Sequence, residues 1–175
     1  AGYPIDMAVN VSARQLDSDQ LIADIEGALA QSELDPTALT IEITETTLVG
    51  DEPAARAFVE GLHTLGCQIA LDDFGTGYWG FSYLKQLPVD FLKIDLEFVR
   101  ELGTNEASRS VVQAIVGLAV GFGLKTVAEG VEDAATLELL GELGCDVVQG
   151  YEIGRPVPAT EIILDCVLMR DDVET

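Results

Sequence analysis

Six short apolar runs, each with a polar or charged residue at or just after its end, constrain this chain more than any other feature. They span residues 7–11, 39–43, 68–71, 91–94, 126–128 and 146–148. Runs of this length with few polar interruptions suit strands buried on both faces. At or just after their ends stand Asn10, Glu42 with Glu45, Asp72 with Asp73, Lys93 with Asp95, Glu129 with Glu132, and Gln149. Between them lie four helical stretches, 19–31, 52–65, 108–122 and 134–143. The first carries a helical stripe of Leu21, Ile22, Ile25 and Leu29. The second opens with Pro53 in its first turn and stops before Gly66, and the last stops at Gly144. Pro88 marks the return to a strand.

Strand alternating with helix implies a parallel sheet with right-handed crossovers. A (β/α)₈ barrel gathers its C-terminal strand ends at one mouth, where active sites lie. An open doubly wound sheet gathers its site at one switch point instead. Polar residues at all six strand ends therefore favour the α/β barrel. A closed barrel needs eight strands, so two βα units, roughly 60 residues at about 30 per unit, are expected ahead of residue 1. The 175 residues read as one partial domain, 1–175, about the C-terminal three quarters of a barrel.

Nine Lys and Arg against 31 Asp and Glu give a net charge of −22. That charge disfavours DNA and anionic lipid as partners. The apolar stretch 111–124 is too short and too glycine-rich to cross a bilayer, so direct membrane insertion is not expected. Cys67, Cys145 and Cys166 have no metal-ligand spacing and read as reduced thiols of a cytoplasmic protein.

Asn10, Glu42, Asp72 and Asp73 are all oxygen donors, the ligands that Mg²⁺ and Mn²⁺ prefer. Two adjacent aspartates suit a pair of ions bridged by one carboxylate, a recurring solution for phosphodiester cleavage. Lys93 adds a fixed positive charge, and Glu129 is placed to accept a proton from attacking water. Ca²⁺, larger and looser in geometry, is expected to support binding but little turnover, and so to inhibit. Taken singly, an Asp-Asp pair is most often a turn or a helix cap, and a Lys after a strand is most often solvated. Six strand ends carrying such residues together outweigh those readings. After the aspartates, Gly75, Thr76 and Gly77 read as a mobile loop over the mouth.

The strings Asp72-Asp73-Phe74-Gly75-Thr76-Gly77, Leu87-Pro88-Val89-Asp90 and Leu92-Lys93-Ile94-Asp95 resemble those of the EAL domain family. So do Val9-Asn10-Val11-Ser12, Glu42-Ile43-Thr44-Glu45, Ala128-Glu129-Gly130-Val131-Glu132 and Gln149-Gly150-Tyr151. The resemblance implies a TIM-like barrel of the EAL type that hydrolyses cyclic di-GMP to linear pGpG with Mg²⁺ or Mn²⁺. It implies that Asn10, Glu42 and Asp72 bind a first metal, and that Asp72 and Asp73 serve a second. Lys93 would then hold the nucleophilic water or phosphate, Glu129 would be the general base, and Gln149 would line the site. Glu45 and Glu132 match residues that steady the glycine-containing loop and the metal shell. Also implied are a homodimer through the barrel and neighbouring GGDEF or sensor domains, with any membrane anchor outside this chain.

Two departures stand against that pattern. The Glu-Ala-Leu run is absent, and with it a metal ligand and an Arg that holds phosphate, so the 175 residues alone are expected to show little hydrolysis. Tyr78-Trp79-Gly80-Phe81 replaces a Ser-rich stretch, and Trp79 is expected to report loop motion or to be a packed aromatic. A non-catalytic cyclic di-GMP-binding module is the first alternative. A Schiff-base aldolase using Lys93 is a remote one, since it leaves the acids around the lysine unexplained.

Overall fold

The computed structural model describes residues 5–16, 19–50, 52–75 and 84–161. Six strands run in chain order across one sheet: β1 (Met7–Val11), β2 (Leu39–Thr44), β3 (Gln68–Phe74), β4 (Phe91–Ile94), β5 (Lys125–Ala128) and β6 (Val147–Val148). Every neighbouring pair is parallel. The sheet always grows from the same side and never reverses its order. It therefore curls as a half-barrel with helices outside, rather than as a doubly wound sheet.

The helices are α1 (Ala13–Leu16), α2 (Asp19–Ser32), α3 (Glu45–Gly50), α4 (Glu52–Leu65), α5 (Leu96–Arg100), α6 (Glu106–Phe122) and α7 (Ala134–Leu143). A 3₁₀ turn, Pro36–Ala38, precedes β2. Helix α6 starts two residues before the expected 108. The Asn105 side chain accepts from the backbone N–H of Ala107 and Ser108, filling the cap that fixes the start. Its end is set by Gly123, whose φ of 72° is the left-handed conformation glycine tolerates. Helices α1, α3 and α5 escape periodicity because each is under two turns long. The expectation for strand 68–71 is extended to Phe74: the aspartate pair stays inside β3 instead of following it.

Period-two alternation divides the strands. Ile41, Ile43, Ile69, Leu71, Leu92 and Ile94 are fully buried, as are Val59, Leu62, Val112 and Leu140 of the covering helices. Burial of each such side chain stabilises by about 1.5–3 kcal/mol. The intervening residues Glu42, Asp72 and Lys93 turn the other way, into the barrel. Cys67 and Cys145 are free thiols, whereas Cys166 lies outside the described residues. Among the described residues no helix is long and apolar enough to cross a membrane.

Candidate active site

Lys93 occupies the centre of the mouth. It projects from β4 and is only 3% exposed. Its Nζ donates to Glu42 Oε2 of β2 at 2.7 Å and lies 3.1 Å from Asp72 Oδ1 of β3. Glu129 Oε1, just past β5, is 2.6 Å away. Four consecutive strands of the half-barrel thus contribute to one cluster. Burial by itself would lower the pKa of Lys93. Hydrogen bonds to Glu129 and Glu42 and the charges of Glu129 and Asp72 outweigh it and raise the pKa well above the ordinary lysine value. The lysine is therefore a fixed cation.

Asp73 completes the acid group in a strained conformation. The β3–β4 register shifts between Leu71 and Phe74, and at that bulge Asp73 takes φ 55°. Its backbone N–H donates to Asp72 Oδ1 at 3.0 Å. Burial, the charges of Asp72 and Asp95, and a hydrogen bond with Asp95 raise its pKa, against the pull of Lys93. The pKa of Glu129 is raised too, by burial first and by Asp72 and Glu42, against the pull of Lys93. Four carboxyl groups around one ammonium leave a surplus of negative charge. Asp72, Asp73 and Glu129 each offer an oxygen within 4.8 Å of the others, a donor set that fits a hard divalent cation.

The structure thus brings together Glu42, Asp72, Asp73, Lys93 and Glu129. Glu129 sits among the metal-capable acids, although its sequence position suggested only a base. Asn10 pairs in register with Glu42 across β1 and β2, and its residue is exposed. Glu45 is 2% exposed at the start of α3. Glu132 is at the surface, 2.9 Å from Arg100 Nη2. Gln149 is held by its backbone: its N–H donates to Ala128 O at 2.8 Å and its carbonyl accepts from Val131 N–H at 3.1 Å. Gly150 beside it leaves room that a Cβ would not, since a Cβ there would land on the Val131 backbone and force it to shift. Gly75, with φ 105°, packs close to Ile115 and Phe98, whose atoms a Cβ would meet at 3.2 and 3.3 Å. Thr76, Gly77 and Trp79 lie outside the described residues.

Asp95 was marked by the strand-end pattern without a role; the structure makes it both the cap of α5 and the partner of Asp73. A cavity of about 460 Å³ lies beside β1, lined by Met7, Val9, Leu21, Ile25 and Leu29 among others. It contains no carboxylate and is a gap between β1 and α2, not the place of the chemistry.

The model of the EAL domain family matches residues 1–156. The bifunctional diguanylate cyclase/cyclic di-GMP phosphodiesterase MucR of Pseudomonas aeruginosa is 42% identical over 158 residues, covering 90% of this chain and 23% of MucR. The cyclic di-GMP phosphodiesterase RocR of the same organism is 36% identical over 165 residues, 94% of this chain and 42% of RocR. The chain therefore spans less than half the length of either relative. The solved structure of the PaMucR phosphodiesterase in complex with c-di-GMP superposes with a TM-score of 0.86 at 43% identity, over 90% of this chain and 64% of that one. The EAL domain of Mycobacterium smegmatis DcpA gives 0.84 at 42% identity, over 90% and 71%. With the family model matched over residues 1–156, these relatives and these superpositions, the chain belongs to the EAL domain family.

Proposed function

We propose that this chain carries active-site residues of a cyclic di-GMP phosphodiesterase that opens the cyclic dinucleotide to linear pGpG. The observation that carries the reading is Lys93, buried between Glu42, Asp72 and Glu129 with Asp73 adjoining. One fixed cation among four carboxyl groups suits a site that takes divalent cations and then an anionic phosphodiester. Relatives named as cyclic di-GMP phosphodiesterases supply the substrate.

Asn10, Glu42 and Asp72 would hold one Mg²⁺ or Mn²⁺, and Asp72 with Asp73 would hold a second. These ions supply Lewis acidity and a water acidic enough to attack at neutral pH. Lys93 holds the water or a phosphate oxygen, since its charge is locked on. Glu129 takes the proton from the attacking water. Gln149 lines the substrate side. Gly75, Thr76 and Gly77, with Glu45 and Glu132, support the loop and the metal shell. Ca²⁺ would occupy the same oxygen donors with little turnover. A homodimer through the barrel, companion GGDEF or sensor domains and a cytoplasmic location complete the proposal.

The test is hydrolysis of cyclic di-GMP by the protein at its full natural length. Product pGpG is expected with Mg²⁺ or Mn²⁺ and none after exhaustive chelation. Full activity after chelation contradicts the mechanism, and tight binding without turnover in either metal establishes the receptor reading instead.

A further inference from the structure

The ladders that align the mouth are short. Below the bulge, β3 and β4 share only the Ala70–Phe91 and Leu71–Leu92 partners. Strands β5 and β6 share only Val127–Val147 and Ala128–Val148. A one-residue slip in a strand turns every side chain to the opposite face. A slip of β4 would carry Lys93 out of the barrel, and a slip of β6 would turn Gln149 away. On its other side β4 shares four rungs with β5, from Phe91–Lys125 to Ile94–Ala128, so these two strands hold together and it is their alignment against β3 and β6 that rests on two rungs each.

The same device stands at the foot of both pairs. Asp90, one residue before β4, accepts the Ile69 backbone N–H on Oδ2 at 2.9 Å while its own N–H donates to Ile69 O at 2.9 Å. Asp146, one residue before β6, accepts both the Thr126 N–H at 2.8 Å and the Thr126 hydroxyl at 2.9 Å on Oδ2. Its N–H donates back to Thr126 Oγ1 at 3.0 Å. Each aspartate closes a two-way clasp on the neighbouring strand, one step below the last ladder rung. The spacing to the mouth is equal on both sides of each clasp. Ile69 and Asp72 are three positions apart, and so are Asp90 and Lys93. Thr126 and Glu129 are likewise three apart, as are Asp146 and Gln149. Ile69 and Thr126 are fully buried, so an unmet N–H there would be costly.

We propose that Asp90 and Asp146 are positioning residues: register clasps at the barrel foot that bring Lys93 against Asp72, and Gln149 beside Glu129, at the mouth. The kinetic part of the test rests on the function proposed above, but the structural part does not. In the full-length protein, Asp90→Ala is treated with acetic anhydride and Lys93 acetylation is read by mass spectrometry, with exposed Lys85 as internal control. Lys93 labelling is expected to rise about tenfold, as a slipped register removes its burial, while Lys85 labelling stays constant. Asp90→Asn, which keeps an acceptor oxygen in place, is expected to stay protected.

On cyclic di-GMP, Asp90→Ala is expected to lower kcat about 10–100-fold with little change in KM, the cost of a misplaced catalytic group. Asp146→Ala is expected to raise KM more than it lowers kcat, and a role confined to stability would produce no such split. Should Asp90→Ala not fold, Asp90→Glu decides: it keeps the charge but displaces the carboxylate by one carbon, and the same rise in Lys93 labelling is expected. Lys93 as protected in the folded variant as in the wild type overturns the proposal. A wild type that does not hydrolyse cyclic di-GMP overturns the function and leaves the labelling result standing.

Discussion

The mouth and the foot of the half-barrel both carry aspartates, and they treat them in opposite ways. At the foot, Asp35, Asp90 and Asp146 each face donors: Thr37 N–H and hydroxyl for the first, Ile69 N–H for the second, Thr126 N–H and hydroxyl for the third. At the mouth, Asp72, Asp73 and Glu129 face one another, with Lys93 as their counter-charge. The ionisation equilibria follow. Hydrogen bonds from Thr37 lower the pKa of Asp35, while burial and like charge raise those of Asp73 and Glu129. Acids at the foot are finished by the fold; acids at the mouth are left needing positive charge from outside.

The largest expected effect sharpens the mouth side. Glu129→Gln keeps the shape but removes the base, so turnover should fall about 10²–10⁴-fold. Affinity for cyclic di-GMP in Ca²⁺ should move far less. A loss of affinity in the same proportion would make Glu129 a binding residue.

Lys93→Met removes the one ammonium among these acids. Breaking a buried ion pair in this way should cost about 3–5 kcal/mol in metal-free protein. Mn²⁺ should then raise the melting temperature of the variant more than that of the wild type, because the ion replaces the missing charge. Equal stabilisation of both by Mn²⁺ would show that the ion binds elsewhere.

A smaller effect is expected of Gly150→Ala, which drives a Cβ into the Val131 backbone where β5 and β6 continue into the mouth. Overpacking of this kind costs about 1–3 kcal/mol, read from denaturant unfolding. An unchanged midpoint would mean that the two loops part without cost.

The smallest effect belongs to the foot. The pKa of Asp35 is depressed below its ordinary 3.8 in the folded state. Its contribution is therefore present above pH 3.8 and is lost as pH falls through the lower folded value. Asp35→Asn should show a small deficit in melting temperature at neutral pH that shrinks below 3.8. A deficit that grows on acidification would reverse the assignment.

Much of this was readable from the amino acids. All six strands and the four long helices follow from apolar period and from Pro and Gly punctuation, with ends adjusted by caps such as Asn105. The side chains that converge on Lys93 were marked by their place at strand ends, because a parallel barrel delivers every strand end to one mouth. What could not be read was long-range pairing. The clasps of Asp90 on Ile69 and Asp146 on Thr126 join residues 21 and 20 positions apart, and nothing local distinguishes these aspartates from turn residues. The bulge that bends Asp73 toward Asp95 is also invisible locally, because it arises from a register mismatch between two strands. Short helices such as α3 and α5 hold too few residues for a helical stripe to show.

The most direct test of the contrast between mouth and foot is anomalous scattering from a Mn²⁺-soaked crystal of the full-length protein. The predicted result is manganese at the mouth against the carboxylates of Asp72 and Asp73, with none at Asp35, Asp90 or Asp146. An empty mouth in a crystal that binds Mn²⁺ elsewhere would contradict the account.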